Sequence, residues 1–266
     1  MRQRPAETTV AAAGDSAGQA QAVWMDSGPD TVEEHLAVDE ALLAEAHEGA
    51  RAETVVRTWM AHAPVVVVGS SSRIDEEVDR GACDSLGVRI VRRPSGGATV
   101  VLGPGCLMWS VVVPHPAGAP AIERIHADML GPLRGALAAA VAAEGFTVER
   151  RGSSDLVILR DGNPLKVSGN ALRVRRHGVL YHGTLLDDFD IGLVGRVLRH
   201  PPREPDYRAR RPHGEFLTNL GLGRAVLEGI VRRAFAATAT LTDWPRDRVA
   251  RLVSERYAAD DWTNRL

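Results

Sequence analysis

The chain has 266 residues, 44% of them hydrophobic, and 32 Lys and Arg stand against 34 Asp and Glu for a formal net charge of -2. That length can bury a sizeable core, and the balanced, dispersed charge excludes the basic stripe by which nucleic-acid binders are read. Two cysteines, Cys83 and Cys106, form neither a disulfide framework nor the paired spacing of a zinc site. No apolar run approaches the ~20 residues of a membrane span, so a cytoplasmic location is expected, with neither membrane nor nucleic acid as partner.

The first 21 residues, rich in Ala, Gly, Ser and Gln, read as a disordered tail ahead of a catalytic-size domain over residues 22–266. A capped helix follows in "TVEEHLAVDEALLAEAHEG": Thr31 with Glu34 three residues on forms a capping box, and Gly49 stops the helix. "ETVVRTWM" and "APVVVVGS" are strands of about six residues that are expected to pair. A short helix in "DEEVDRGACDSLG" precedes the strand "VRIVRR", a glycine loop and the strand "CLMWSVVVP". "AIERIHADMLGPLRGALAAAVAAEG" is a long helix with a bend expected near Gly131 and Pro132. Residues 153–188 hold three or four strands, turning at "RDGNP" and breaking at Gly169 and Gly178. Helices in "GRAVLEGIVRRAFAATA" and "PRDRVARLVSERYAA" complete the order, and a mixed sheet with segregated helices predicts an α+β fold.

Two stretches carry candidate chemistry. "RRPSGGATVVLGPG" joins paired arginines to a glycine turn, which suits an anionic ligand approached by backbone at a sheet edge. "LKVSGNALRVRRHGVLYHGTLL" places a lysine one residue before a Ser-Gly turn and a His-Gly-Thr step sixteen residues later. On adjacent strands of a hairpin, Lys166 and His182 would face a shared cleft, where a mobile ammonium could follow a phosphate or a developing oxyanion. Each piece alone is most often structural.

Taken in order, "HLAVDEALL", "VRIVRRPSGGATVV", "SSDLVI" and "LKVSGNALRVRRHGVLYHGTLL" resemble the lipoate-protein ligase and octanoyltransferase superfamily, related in turn to biotin protein ligases. The resemblance runs from about Trp24 to Asn219. It implies a mixed-sheet catalytic domain that passes a lipoyl or octanoyl chain to a lysine of a lipoyl carrier domain, of the 2-oxoacid dehydrogenase E2 or glycine cleavage H protein type. It assigns Arg92, Arg93, Ser95, Gly96 and Gly97 to the acyl tunnel and adenylate. Lys166 falls to the activated carboxyl, with Ser168 and Gly169 in the following turn. His182, Gly183 and Thr184 would line the adenylate, and Asp155 would hold a magnesium ion or cap a strand end.

Acyltransferases of the family use a cysteine thioester. The stretches where the family places that cysteine read "GSSDLV" and "RVLRHPPRE" here. Only Cys106, after a "GPG" turn, would substitute. The expectation is therefore an ATP- and magnesium-dependent lipoate-protein ligase that forms an acyl-AMP, with a small accessory protein as a further partner. The alternatives are a lipoyl or octanoyl transferase working from a carrier thioester or preformed acyl-AMP, a non-catalytic carrier-binding protein, and a biotin ligase. The last lacks its Gly-Arg-Gly-Arg signature in this sequence.

Overall fold

A computed structural model describes residues 22–26 and 28–266; the tail expected over residues 1–21 lies outside the described residues. Twelve strands fall into three sheets. In chain order they are β1 (Ala22–Met25), β2 (Thr54–Trp59), β3 (Val65–Val68), β4 (Arg89–Arg92), β5 (Val100–Leu102), β6 (Cys106–Pro114), β7 (Thr147–Arg151), β8 (Asp155–Arg160), β9 (Asn163–Ser168), β10 (Asn170–Arg175), β11 (Gly178–Leu186) and β12 (Ala239–Leu241). The large sheet has the order β10-β11-β6-β2-β1-β12, and two three-stranded sheets, β4-β3-β5 and β7-β8-β9, flank it. β1 runs parallel to β2 and β12, and β3 parallel to β4; the other pairings are antiparallel. With helices on the sheet faces, this is the α+β architecture expected.

Side-chain alternation along the large sheet builds two separate cores. Val55, Val112 and Leu180 face the helix Val32–Glu48 and its Leu36, Leu42 and Leu43. Their neighbours Val56, Val111 and Tyr181 face the helices Ile122–Val141 and Arg224–Ala234 instead. The capping box at Thr31 is present, and Gly49 ends that helix in the left-handed conformation at φ 76°.

Two expectations are corrected. β2 and β3 do not pair: the connection through Pro64 carries the chain from the large sheet into the β4-β3-β5 sheet, where all four valines of β3 are buried. The helical pattern of residues 223–239 stops at Ala234, Ala236 turns at φ 49°, and Ala239 begins β12. Among the described residues no helix is long and apolar enough to cross a membrane.

Candidate active site

A cavity of about 770 Å³ opens between the large sheet and its two flanking sheets. Part of its lining is the apolar core itself, through Leu36, Val67, Leu102, Met108 and Leu186. Polar lining comes from residues 151–155, β9, the turn after it, β11 and residues 199–213.

Lys166 and His182 both line this cavity, although not as neighbours in one hairpin. Lys166 sits on β9 in the β7-β8-β9 sheet, whereas His182 sits on β11 in the large sheet. The Ser168–Gly169–Asn170 step joins the two sheets. Thr184 and Gly169 exchange backbone and side-chain hydrogen bonds, with Thr184 N to Gly169 O at 3.1 Å and Gly169 N to Thr184 Oγ1 at 3.2 Å. A Cβ on Gly169 would lie 2.9 Å from Lys166 Nζ, and one on Gly183 would lie 1.7 Å from Asn170 Oδ1. Close packing therefore sets both glycines, Gly169 against Lys166 and Gly183 against Asn170. Asn170, not singled out in the sequence, ties the step down by donating to Ser154 O at 2.6 Å.

Lys166 Nζ pairs with Asp155 Oδ1 at 2.8 Å, and Tyr207 donates its hydroxyl to Asp155 Oδ2 at 2.8 Å. Burial and the neighbouring Asp155 push the Tyr207 phenol well above its ordinary range. Both oxygens of Asp155 are thus occupied by donors. Among the described residues no three His, Cys, Asp or Glu side chains are grouped to hold a metal ion. In this arrangement Asp155 orients Lys166.

The paired arginines divide. Arg93 lines the cavity wall but spends its donors on the loop that contains it: Ser95 Oγ (3.1 Å), Val67 O (3.1 Å), Gly96 O (2.6 Å) and Ala98 O (2.9 Å). Burial lowers its guanidinium to about 10. Arg92 is directed away from the cavity, fully buried, and donates to Gly69 O and Ser72 O at 2.7 Å and to Thr263 O at 2.9 Å. Trp262 Nε1 donates to the Arg92 carbonyl at 2.8 Å, so residues 262–263 cover this side of the loop. Among the loop residues assigned to the ligand, Gly97 lines the cavity, while Arg92, Ser95 and Gly96 do not. Gly97 takes φ 90°, and its carbonyl presses so closely on Gly69 that a Cβ there would lie 1.9 Å from the oxygen.

Behind the cavity wall lies a buried polar chain. Ser95 Oγ is 2.6 Å from His182 Nε2, His182 Nδ1 is 3.2 Å from Asp39 Oδ2, and Asp39 Oδ1 accepts from Arg57 Nη1 at 2.7 Å and Ser110 Oγ at 2.8 Å. Burial pushes the Asp39 carboxyl up, but Arg57, His182 and Ser110 outweigh it and hold the group at about 2. The chain fixes His182 and, through Ser95, the arginine-glycine loop. In the sequence Asp39 stands only as one position of the capped helix.

Neither thiol reaches the cavity. Cys106 is fully buried and burial raises it to about 12, while burial also raises buried Cys83. The substitute role considered for Cys106 is excluded by that position.

The chain from residue 31 to 226 matches the family model described as the lipoyl protein ligase A/B catalytic domain. This chain belongs to that family. A curated relative, octanoyltransferase LipM of Symbiobacterium thermophilum, is 30% identical over 272 aligned positions, covering 91% of this chain and 97% of the relative. Octanoyltransferase LipM of Carboxydothermus hydrogenoformans is 32% identical over 66% of this chain and 69% of its own. Among solved structures, the bipartite lipoate protein ligase of Thermoplasma acidophilum superposes with a TM-score of 0.75 at 19% identity, covering 92% of this chain and 97% of that one. Lipoate-protein ligase A bound with ATP superposes with 0.71 at 19% identity, covering 93% and 99%. At these identities the structures establish the shared fold. The relatives' names correct the expected ATP-dependent ligase activity, because both curated relatives are named octanoyltransferases.

Proposed function

We propose that this chain is an acyltransferase that moves an octanoyl-type chain from a carrier thioester to the lysine amine of a lipoyl carrier domain, with no acyl-cysteine intermediate. The observation that carries the reading is the cavity: an apolar lining for the chain meets Lys166, and both thiols are buried elsewhere. The acceptor amine attacks the thioester carbonyl, Lys166 stabilises the oxyanion, and the carbon–sulfur bond then breaks. The proton lost by the amine is taken up by the departing thiolate. Positioning and preorganised charge supply the rate enhancement. An acceptor of the dehydrogenase E2 or glycine cleavage H protein type fits this chemistry, and its cytoplasmic setting agrees with the reduced cysteines.

The test is incubation of the chain with an octanoyl-carrier thioester and an unmodified lipoyl domain, without ATP, followed by intact-mass measurement. The expected result is an acylated lipoyl domain and an unmodified enzyme. Acylation only when free octanoate and ATP replace the thioester would overturn the reading.

A further inference from the structure

Among the apolar residues of the cavity wall stands a carboxylate that the transfer chemistry leaves unused. Glu77 is 7% exposed and lines the cavity together with Val100, Val194 and Leu198. It is the last residue of the short helix Ile74–Glu77, and the backbone holds it in place. Val78 N donates to Ile74 O at 2.8 Å, Arg199 N donates to the Glu77 carbonyl at 3.0 Å, and Val78 bridges to Leu198. On the side chain, Oε2 accepts from Thr99 N at 2.7 Å. Among the described residues Oε1 takes no hydrogen bond, and it is not one of the polar atoms sealed away without a partner, so it opens onto the cavity.

No neighbour supplies a donor to that oxygen. Arg93, on the same wall, places its hydrogen bonds on Ser95, Val67, Gly96 and Ala98. The Thr99 hydroxyl is buried without a partner of its own, so it does not reach Glu77 either. A carboxylate oxygen in such surroundings costs free energy unless a donor meets it. Water serves while the cavity is open. A wholly apolar chain that fills the cavity expels that water and offers nothing in its place, which lowers affinity, whereas a chain with a hydroxyl restores the bond.

From this geometry we infer that Glu77 selects an acyl chain that carries a hydroxyl group. The inference rests on the transfer reading for placing an acyl chain in this cavity, and it narrows the octanoyl-type chain of that reading to a hydroxylated one. Hydrogen bonds to an ionised acceptor are about twice as strong as neutral ones. An apolar pocket discriminates weakly against an added hydroxyl, but a site built to bond one rejects the analogue that lacks it. Glu77 makes this cavity the second kind.

The test uses unreactive thioethers, so binding is read separately from turnover. Calorimetry compares S-octyl pantetheine with the same thioether hydroxylated at the third, fifth or eighth carbon of the chain, and with the methoxy form of each. The expected result is that one hydroxylated probe binds about tenfold tighter than S-octyl pantetheine, while its methoxy counterpart, which accepts but cannot donate, does not. The position of that hydroxyl identifies the chain. Glu77→Gln is nearly isosteric and keeps the bond from Thr99 N through its amide oxygen, which turns an amide donor to the cavity; the hydroxylated probe then no longer outranks the methoxy one. In Glu77→Met the preference over S-octyl pantetheine falls below about twofold. Both preferences are kept in Arg196→Gln, which alters an exposed arginine paired with Asp190. Binding of no probe, or equal binding of plain and hydroxylated probes, overturns the inference, as does a preference for hydroxyl over methoxy that survives Glu77→Gln. A protein that shows the Glu77-dependent preference yet transfers no acyl group from the matching thioesters retains the site and loses the transfer reading. One that transfers octanoyl and hydroxyoctanoyl chains alike, and binds their thioethers alike, retains the transfer reading and loses this inference.

Discussion

Lys166→Ala separates catalytic charge from structural charge. The ammonium lies 2.8 Å from Asp155, and the two side chains are 24% and 14% exposed. An ion pair that solvent reaches this easily contributes roughly 1 kcal/mol or less to folding, and Asp155 keeps the Tyr207 hydroxyl as a donor after the substitution. Unfolding free energy should therefore fall by less than about 2 kcal/mol. Transfer has more to lose, because a preorganised donor aimed at a developing oxyanion supplies about 3 kcal/mol of activation free energy. That corresponds to about 150-fold in kcat/KM. Lys166→Arg should recover little of it, since a planar fork replaces a point charge packed against Gly169. The assay is kcat/KM for transfer from an octanoyl-carrier thioester to a lipoyl domain, beside urea unfolding of the same preparations. A loss in kcat/KM below about threefold in a folded variant would refute the role of Lys166 in stabilising the oxyanion.

Asp39→Asn leaves buried Arg57 without its charge partner and sets an amide N–H against either Arg57 or His182, so urea unfolding should show a loss of about 3–5 kcal/mol. Wild-type stability should fall on acidification in two stages. His35, held down to about 3 by burial and Arg57, is neutral in the fold and takes up a proton on unfolding, so its contribution is full above about pH 6.5 and drains as pH falls towards 3. Asp39, held at about 2, contributes above about pH 4 and its contribution of about 2 kcal/mol is lost as pH falls through 2; unfolding curves that show no decline between about pH 6.5 and 3 would contradict the first stage, and none between about pH 4 and 2 the second. Gly69→Ala drives a Cβ into the Gly97 carbonyl and should cost about 1–3 kcal/mol with slower transfer, read by thermal unfolding and the same assay. Replacing Cys83 and Cys106 together by Ser should leave hydroxylamine-labile acylation of the enzyme absent and transfer within about threefold of wild type in whatever fraction folds.

What the sequence made legible was local. The capping box at Thr31, the strands β6 and β8 to β11 and the Lys166 segment depend on neighbours a few residues apart. The misreadings arose where a partner lies far along the chain. Arg92 and Arg93 are adjacent on an extended segment, so alternation sends their side chains in opposite directions. Only the packing of Thr263 and Trp262 decides which of the two leaves the cavity. β12 is three residues whose sole instruction to form a strand is its pairing with β1 across more than two hundred positions. Asp39 shares its buried helix with His35 and Glu40, and nothing local announces that Arg57 on β2 and His182 on β11 will meet it. The cavity wall over residues 199–213 is irregular and proline-rich, without a period to read.

The cover that Trp262 and Thr263 place over Arg92 sets an order of events during synthesis. These residues close contacts that span about 170 positions of sequence, and Arg265 adds another to the Ser70 carbonyl. Contacts of such separation form late, because the intervening chain must be ordered before they can be rewarded. While residues 262–265 are still within the ribosome, the arginine-glycine loop has its inner bonds through Arg93 but not its outer brace. The arginine-glycine loop therefore gains its outer brace only after the residues between the two ends of those contacts have emerged.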